Sequence, residues 1–168
     1  MRKVVALAGF VLTFALAPVF AQAAGAETTV AFQAQFKESV GIAASKPCDH
    51  FSCGTGTVVG FGDATTFADV TSFTPPTEGT NCGLATADQT ITLVRDSSTL
   101  QLEISGTVCF PGNTFEADPA GEPLRVDATF TVKLGTGIFE GATGGGTNET
   151  KGSGDQAHDT FSGTLTFT

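Results

Sequence analysis

Leu124-Arg125-Val126-Asp127-Ala128-Thr129-Phe130-Thr131-Val132-Lys133-Leu134 alternates apolar and polar side chains without a break over eleven residues. Period-two alternation is the signature of a β-strand with one face in a core and the other in water, the arrangement of antiparallel sheets. The same alternation runs through Val30-Phe32-Ala34-Phe36, Leu100-Leu102-Ile104 and Phe161-Gly163-Leu165-Phe167. Thr86 to Arg95 and Thr99 to Val108 read as a hairpin turning at Asp96-Ser97-Ser98. Weaker strands are expected near Thr57–Phe61, Thr65–Phe73, Thr90–Val94 and Ala142–Lys151.

That makes about eight strands, separated by turns such as Pro75-Pro76-Thr77-Glu78-Gly79 and Pro119-Ala120-Gly121-Glu122-Pro123, with no convincing helix after the leader. Eight amphipathic strands in succession bury their shared face, and lose their edges, by closing into an up-and-down barrel. The fold class is therefore all-β, an eight-stranded antiparallel up-and-down barrel. A two-sheet β-sandwich is the alternative, its crossings supplied by the longer connections around residues 41–55 and 74–86. An outer-membrane barrel is disfavoured because the chain has no Tyr or Trp for its aromatic girdles and several strands are short or polar.

The chain opens with Arg2 and Lys3, runs apolar from Val4 to Ala17, meets Pro18 and then offers Ala21-Gln22-Ala23, a pattern cut by signal peptidase. Residues 1–23 are read as a signal peptide and residues 24–168 as one disulfide-linked domain, secreted to an extracellular or periplasmic compartment. The apolar run is too short for a membrane anchor, so no membrane association is expected after processing. Without the leader, six basic side chains face seventeen acidic ones, a formal charge of −11. Lys37, Lys46, Arg95, Arg125, Lys133 and Lys151 form no basic run, which argues against nucleic acid as a partner.

Export makes disulfides the expectation for Cys48, Cys53, Cys82 and Cys109. Four cysteines allow three pairings, and the hairpin chooses among them. It brings Cys82 and Cys109 to its open end, within about a residue of register, and leaves Cys48 to pair with Cys53 around Asp49-His50-Phe51-Ser52. The competing reading, a metal held by Cys48, Asp49, His50 and Cys53, has a longer cysteine spacing than structural zinc sites use. A redox pair would have C-x-x-C spacing.

The mature chain has twelve phenylalanines and no Trp or Tyr, so its aromatic rings carry no polar handle and serve a core better than a sugar-stacking surface. Catalytic candidates are sparse. His158 lies near Asp155 and Asp159, a carboxylate-oriented base in one reading and a polar turn in another; Asp155 and Asp159 are also the weak metal candidates. Glu103 and Asp127 lie on polar strand faces and would form a carboxylate pair only if their strands were neighbours. No G-x-S-x-G surrounds any serine, and no cofactor motif is present. Asn148-Glu149-Thr150 is a formal glycosylation sequon.

Gly135-Thr136-Gly137-Ile138-Phe139-Glu140-Gly141-Ala142-Thr143-Gly144-Gly145-Gly146 lacks the lysine of a P-loop and the βαβ setting of a dinucleotide site, so its glycines are read as supplying a tight turn where Phe139 tucks inward. This segment and the closing Phe161-Ser162-Gly163-Thr164-Leu165-Thr166 resemble the C-terminal part of the dirigent and allene oxide cyclase barrel superfamily over Leu134 to Thr168. Among that superfamily the layout is most similar to uncharacterised secreted bacterial members with paired cysteines. Its plant members are eight-stranded barrels, commonly dimers or trimers, that bind oxylipins or phenoxy radicals and steer ring closure or coupling, with polar side chains of the cavity implicated. Leu134 stands where that motif often has Gly and Ile138 where it often has a basic residue. The inward positions of the best strands read as overwhelmingly apolar, which leaves no cavity carboxylate to match.

The resulting expectation is a non-catalytic secreted barrel that binds a small apolar ligand or a protein partner. A cyclase-like or dirigent-like enzyme and a purely structural surface module are the alternatives, and the sequence does not specify the oligomeric state.

Overall fold

A computed structural model describes residues 27–40, 48–77, 80–110 and 124–168. The leader reading at residues 1–23, residues 41–47 of the 41–55 connection, Glu78 and Gly79 of the Pro75–Gly79 turn, and the Pro119–Pro123 turn lie outside these residues.

Eight strands follow one another: β1 (Thr28–Val40), β2 (Ser52–Val58), β3 (Gly62–Thr74), β4 (Cys82–Leu93), β5 (Thr99–Cys109), β6 (Leu124–Gly135), β7 (Thr143–Ser153) and β8 (Gln156–Phe167). Each pairs antiparallel with the next, and β1 closes on β8 from Thr28↔Phe167 to Ser39↔Gln156. The ring is complete, so the sandwich alternative is excluded.

The strands run between two unlike ends. At the turn end the connections are short: Val59 to Phe61, Val94 to Ser98, and Thr136 to Ala142 with a single 3-10 turn at Gly137–Phe139. At the opposite end lie both disulfides, Cys48–Cys53 and Cys82–Cys109, the connections over residues 41–51, 75–81 and 110–123, and the tight turn at Gly154 and Asp155. Cys82 and Cys109 stand directly opposite each other, in register with Thr92↔Thr99 at the far end of the hairpin, so no bulge is needed between them. The two bridges are consistent with secretion.

Alternation places side chains inside as expected over most of the barrel. Phe32, Phe130 and Phe161 meet edge to face with centroids 5.5, 5.6 and 6.4 Å apart, and Phe36 joins them against Phe161 at 6.2 Å. Ile91, Leu93, Leu100, Leu102 and Leu165 surround the rings, all buried. Room for this cluster comes from β7 and β8, where Gly146 faces Gly163; a Cβ on Gly146 would lie 2.8 Å from the Phe130 ring.

Phe139 caps the turn end. It is fully buried, packs on Phe61 at 5.0 Å, and lies so close to β6 that a Cβ on Gly135 would fall 1.9 Å from its carbonyl oxygen. The left-handed conformation of Gly137 (φ +61°) turns the chain into the cap. One expectation fails here. Leu134 points outward, 54% exposed, because a bulge between Gln101 and Leu102 shifts β6 and sets Leu134 opposite Gln101, giving the inward place to Gly135.

Replacing Phe139 with Ala empties this cap and is expected to cost about 3–5 kcal/mol, read as a lower midpoint in urea with the disulfides intact. A loss below 1 kcal/mol would show that the cap does not close the core.

Candidate functional site

The apolar interior ends partway along the barrel. Continuing the alternation of β1 two residues past Phe36 brings Glu38 inside, and continuing β8 two residues before Phe161 brings Asp159 inside. Gln89, two residues before Ile91 on β4, and Asn148 on β7 also point inward, with Thr66 on β3 and Ser52 at the start of β2. All six are buried. The expectation of an overwhelmingly apolar interior is therefore corrected: the half nearer the disulfides has a polar floor.

Gln89 connects this floor. Its Nε2 donates to Thr66 Oγ1 at 2.8 Å, Glu38 Oε1 at 3.2 Å and Asp159 Oδ2 at 3.3 Å, tying β4 to β3, β1 and β8 across the lumen. The Thr66 hydroxyl donates to the Thr90 carbonyl at 3.2 Å, and the Thr150 hydroxyl donates to Asp159 Oδ1. Ser52 donates to Glu38. The Cys48–Cys53 ring positions that serine: its His50 stacks on Phe67 at 3.9 Å and bonds Asp69 through Nδ1 at 2.7 Å, while the Phe51 N–H donates to Asp69 Oδ1 at 3.0 Å, holding the loop on the outer face of β3. The two sulfurs are bonded to each other, so the ring offers no thiolate to a metal.

Among the described buried residues there is no Lys, Arg or His to neutralise the two carboxyls. Burial therefore pushes Glu38 up to about 8, and the neighbouring Asp159 charge and a hydrogen bond given to Asp159 push in the same direction, against the Ser52 bond. Burial also raises Asp159, although the hydrogen bonds from Thr150, Gln89, Asn148 and Glu38 favour its ionised form. The two carboxyls share a hydrogen bond, and at neutral pH the pair retains a proton.

Above this floor the wall is small and apolar. Val70, Phe73, Ala85, Ala87, Gly106, Val108 and Val126 occupy inward registers, since each faces another inward residue across the sheet. Unlike the core at the turn end they are partly exposed, and Val70 reaches 41%. They continue the inner face of the barrel from the carboxyl pair toward the disulfide end.

The residues singled out from sequence are dispersed. Glu103 and Asp127 lie on neighbouring strands but four residues out of register, facing Thr131 and Thr107, about 13 Å apart along the strand. Both point to solvent, Asp127 held by Arg125 at 2.8 Å and Glu103 lying 4.0 Å from Lys133, which itself bonds Asp88 at 2.8 Å. His158 is exposed between Lys37 and Lys151, on the opposite face of β8 from Asp159. Asp155 is exposed on the β7–β8 turn, where its carbonyl accepts from the Val40 N–H at 2.8 Å. Among the described residues no group of three or more His, Cys, Asp and Glu is placed to hold a metal ion.

The raised carboxyls set a pH dependence. Both folded-state values exceed the unfolded ones, so the folded chain binds more protons, and the stability this contributes is complete below about 4 and lost as pH rises through about 8. Glu38 meets Asp159, Ser52 and Gln89, none of them basic, so among the described residues no buried cation offsets the trend. The melting temperature is expected to fall by roughly 5–10 °C between pH 5 and pH 9. Glu38→Gln, which mimics the protonated acid, should flatten the profile; a flat profile in the unsubstituted protein would contradict the raised values.

A scan against protein-family models, a search of curated proteins and a search of solved structures each find no match to this chain.

Proposed function

We propose that the disulfide half of the lumen forms a chamber that binds a small apolar molecule, with the molecule's polar group directed at the Glu38–Asp159 floor. The observation that carries this reading is the division of the lumen. One half is packed solid by Phe32, Phe130, Phe139 and Phe161, whereas the other presents accessible apolar walls over buried polar groups. Such a combination is how small-molecule sites are built: apolar surface for affinity and a few converging polar groups for orientation. The protein acts as a secreted binder, in keeping with its two disulfides. The barrel and the Gly135–Gly146 turn support a place in the dirigent and allene oxide cyclase superfamily.

A second reading is favoured by the carboxyl pair itself. A carboxylic acid held protonated near neutral pH beside a carboxylate can donate a proton to a bound oxygen and recover it, the task of a general acid in an isomerase or cyclase. In that reading Glu38→Gln abolishes turnover while leaving binding in place.

Titration of the mature protein with the neutral fluorophore N-phenyl-1-naphthylamine tests the binding reading. Saturable enhancement at micromolar concentration is expected, with more than tenfold weaker binding in Ala87→Trp, which fills the chamber from its wall. The absence of enhancement, or equal binding by a folded Ala87→Trp variant, would overturn it.

A further inference from the structure

The outward faces of the strands carry a row of basic side chains that sequence order hides. Across the sheet, Lys37 on β1 stands opposite His158 on β8, His158 opposite Lys151 on β7, and Lys151 opposite Arg125 on β6. All four are exposed. Register thus gathers three of the five described Lys and Arg residues, together with a histidine, into one band about 14 Å long at the spacing of adjacent strands.

The two halves of the band differ. On β6 and β7, Asp127 holds Arg125 at 2.8 Å and Glu149 holds Lys151 at 2.8 Å. On β8 and β1, neither Asp155 of the adjoining turn nor any other described carboxylate lies within ion-pair distance of Lys37 or His158. The outward residues of β8, β1 and β2 include no carboxylate, although the chain has seventeen acidic side chains. Gln35, Thr55 and Thr160, beside Lys37 and His158, are exposed and uncharged. On a protein of net charge −9, this wall is where an anionic partner meets least repulsion.

The chemistry of the wall selects among anionic partners. A protein partner anchors mainly through apolar and aromatic contacts, and the outward residues around Lys37 and His158 supply none. Duplex nucleic acid is stiff and densely charged, whereas this band bends with the barrel and has Asp127 and Glu149 along one side. An acidic sugar chain brings scattered carboxylates and many hydroxyls, which ammonium, imidazole, amide and hydroxyl groups can all bond. Because its charge supplies the hold, the absence of Trp and Tyr for stacking is no obstacle.

We propose that the outer wall over β7, β8, β1 and β2 binds an acidic polysaccharide, its uronate carboxylates meeting Lys151, His158 and Lys37 and its hydroxyls meeting Gln35, Thr55 and Thr160. This surface lies outside the lumen and does not depend on the binding reading above.

The test is titration of the mature, disulfide-bonded protein with tetragalacturonate, followed by calorimetry and by the backbone amide NMR spectrum. Saturable binding is expected, with the largest amide shifts at Lys37, Thr55, Lys151 and His158 in the unsubstituted protein, a readout that does not depend on any variant folding. Lys37→Glu is expected to weaken binding about fivefold. Lys133→Glu changes the net charge equally but lies outside the band, beside Asp88, and should leave affinity within about twofold. The fully methyl-esterified tetrasaccharide should not bind. Absence of saturable binding, shifts centred on another wall, or equal weakening by the two variants would overturn the proposal. Equal binding of the methyl ester would overturn the role of charge, and equally tight binding of a single-stranded oligonucleotide of the same charge would overturn the polysaccharide assignment in favour of a general polyanion surface.

Discussion

Two carboxyl groups face one another inside a barrel whose described residues bring no buried cation to them, and the arrangement of the disulfide half answers to that constraint. Burying a carboxylate alone is costly enough that the group takes up a proton instead. Glu38 does so, and the proton it keeps becomes a hydrogen bond to Asp159. Gln89 then carries the remaining load, its amide reaching from β4 to acceptors on β1, β3 and β8. A charge-neutral donor at the centre satisfies several acceptors without adding the desolvation of an ion, and it braces opposite walls of the barrel in the same contact.

The rest of the interior is arranged around this tie. Phenylalanine fills the turn half because glycines on the facing strands, Gly146 and Gly163, give the rings their space, and because Phe139 folds in from the Gly135–Gly141 turn to close the end. In the disulfide half, beyond the polar floor, the partly exposed inward residues other than the rim Phe73 are Ala, Gly and Val. The Cys48–Cys53 ring and the Cys82–Cys109 bridge pin the strand ends there, and the first also presents Ser52 to Glu38. A core of packed rings and a polar floor with a smaller apolar wall thus coexist in one barrel of eight strands.

The strand count, the antiparallel order and both disulfides were legible in the sequence because each rests on local information: period-two alternation, turn residues and hairpin register. The inward Phe139 was legible for the same reason, its glycine frame being contiguous. Leu134 was not, since nothing in its own alternation announces the bulge between Gln101 and Leu102 that turns it outward. The polar floor was hidden differently. Glu38 and Asp159 share the parity of Phe36 and Phe161, but a pattern scored on apolar residues stops where the polar ones begin, and a buried charge violates the rule that defines the pattern. Glu103, Asp127, His158, Asp155 and Asp159 drew attention as charged or titratable residues, Asp159 as a partner of His158 or a metal ligand, whereas its buried partner Glu38 lies 121 positions away and is joined to it only by barrel closure.

The most direct test of this account is a carbon-13 NMR titration of the side-chain carboxyl carbons of Glu38 and Asp159 in the mature, disulfide-bonded protein. The account predicts that Glu38 titrates near 8, far above the ordinary carboxyl range, and that the Asp159 resonance responds in the same pH range because the two share a proton. Titration of both groups below 5, as for carboxyls in water, would contradict the buried pair and with it the polar floor on which the chamber rests.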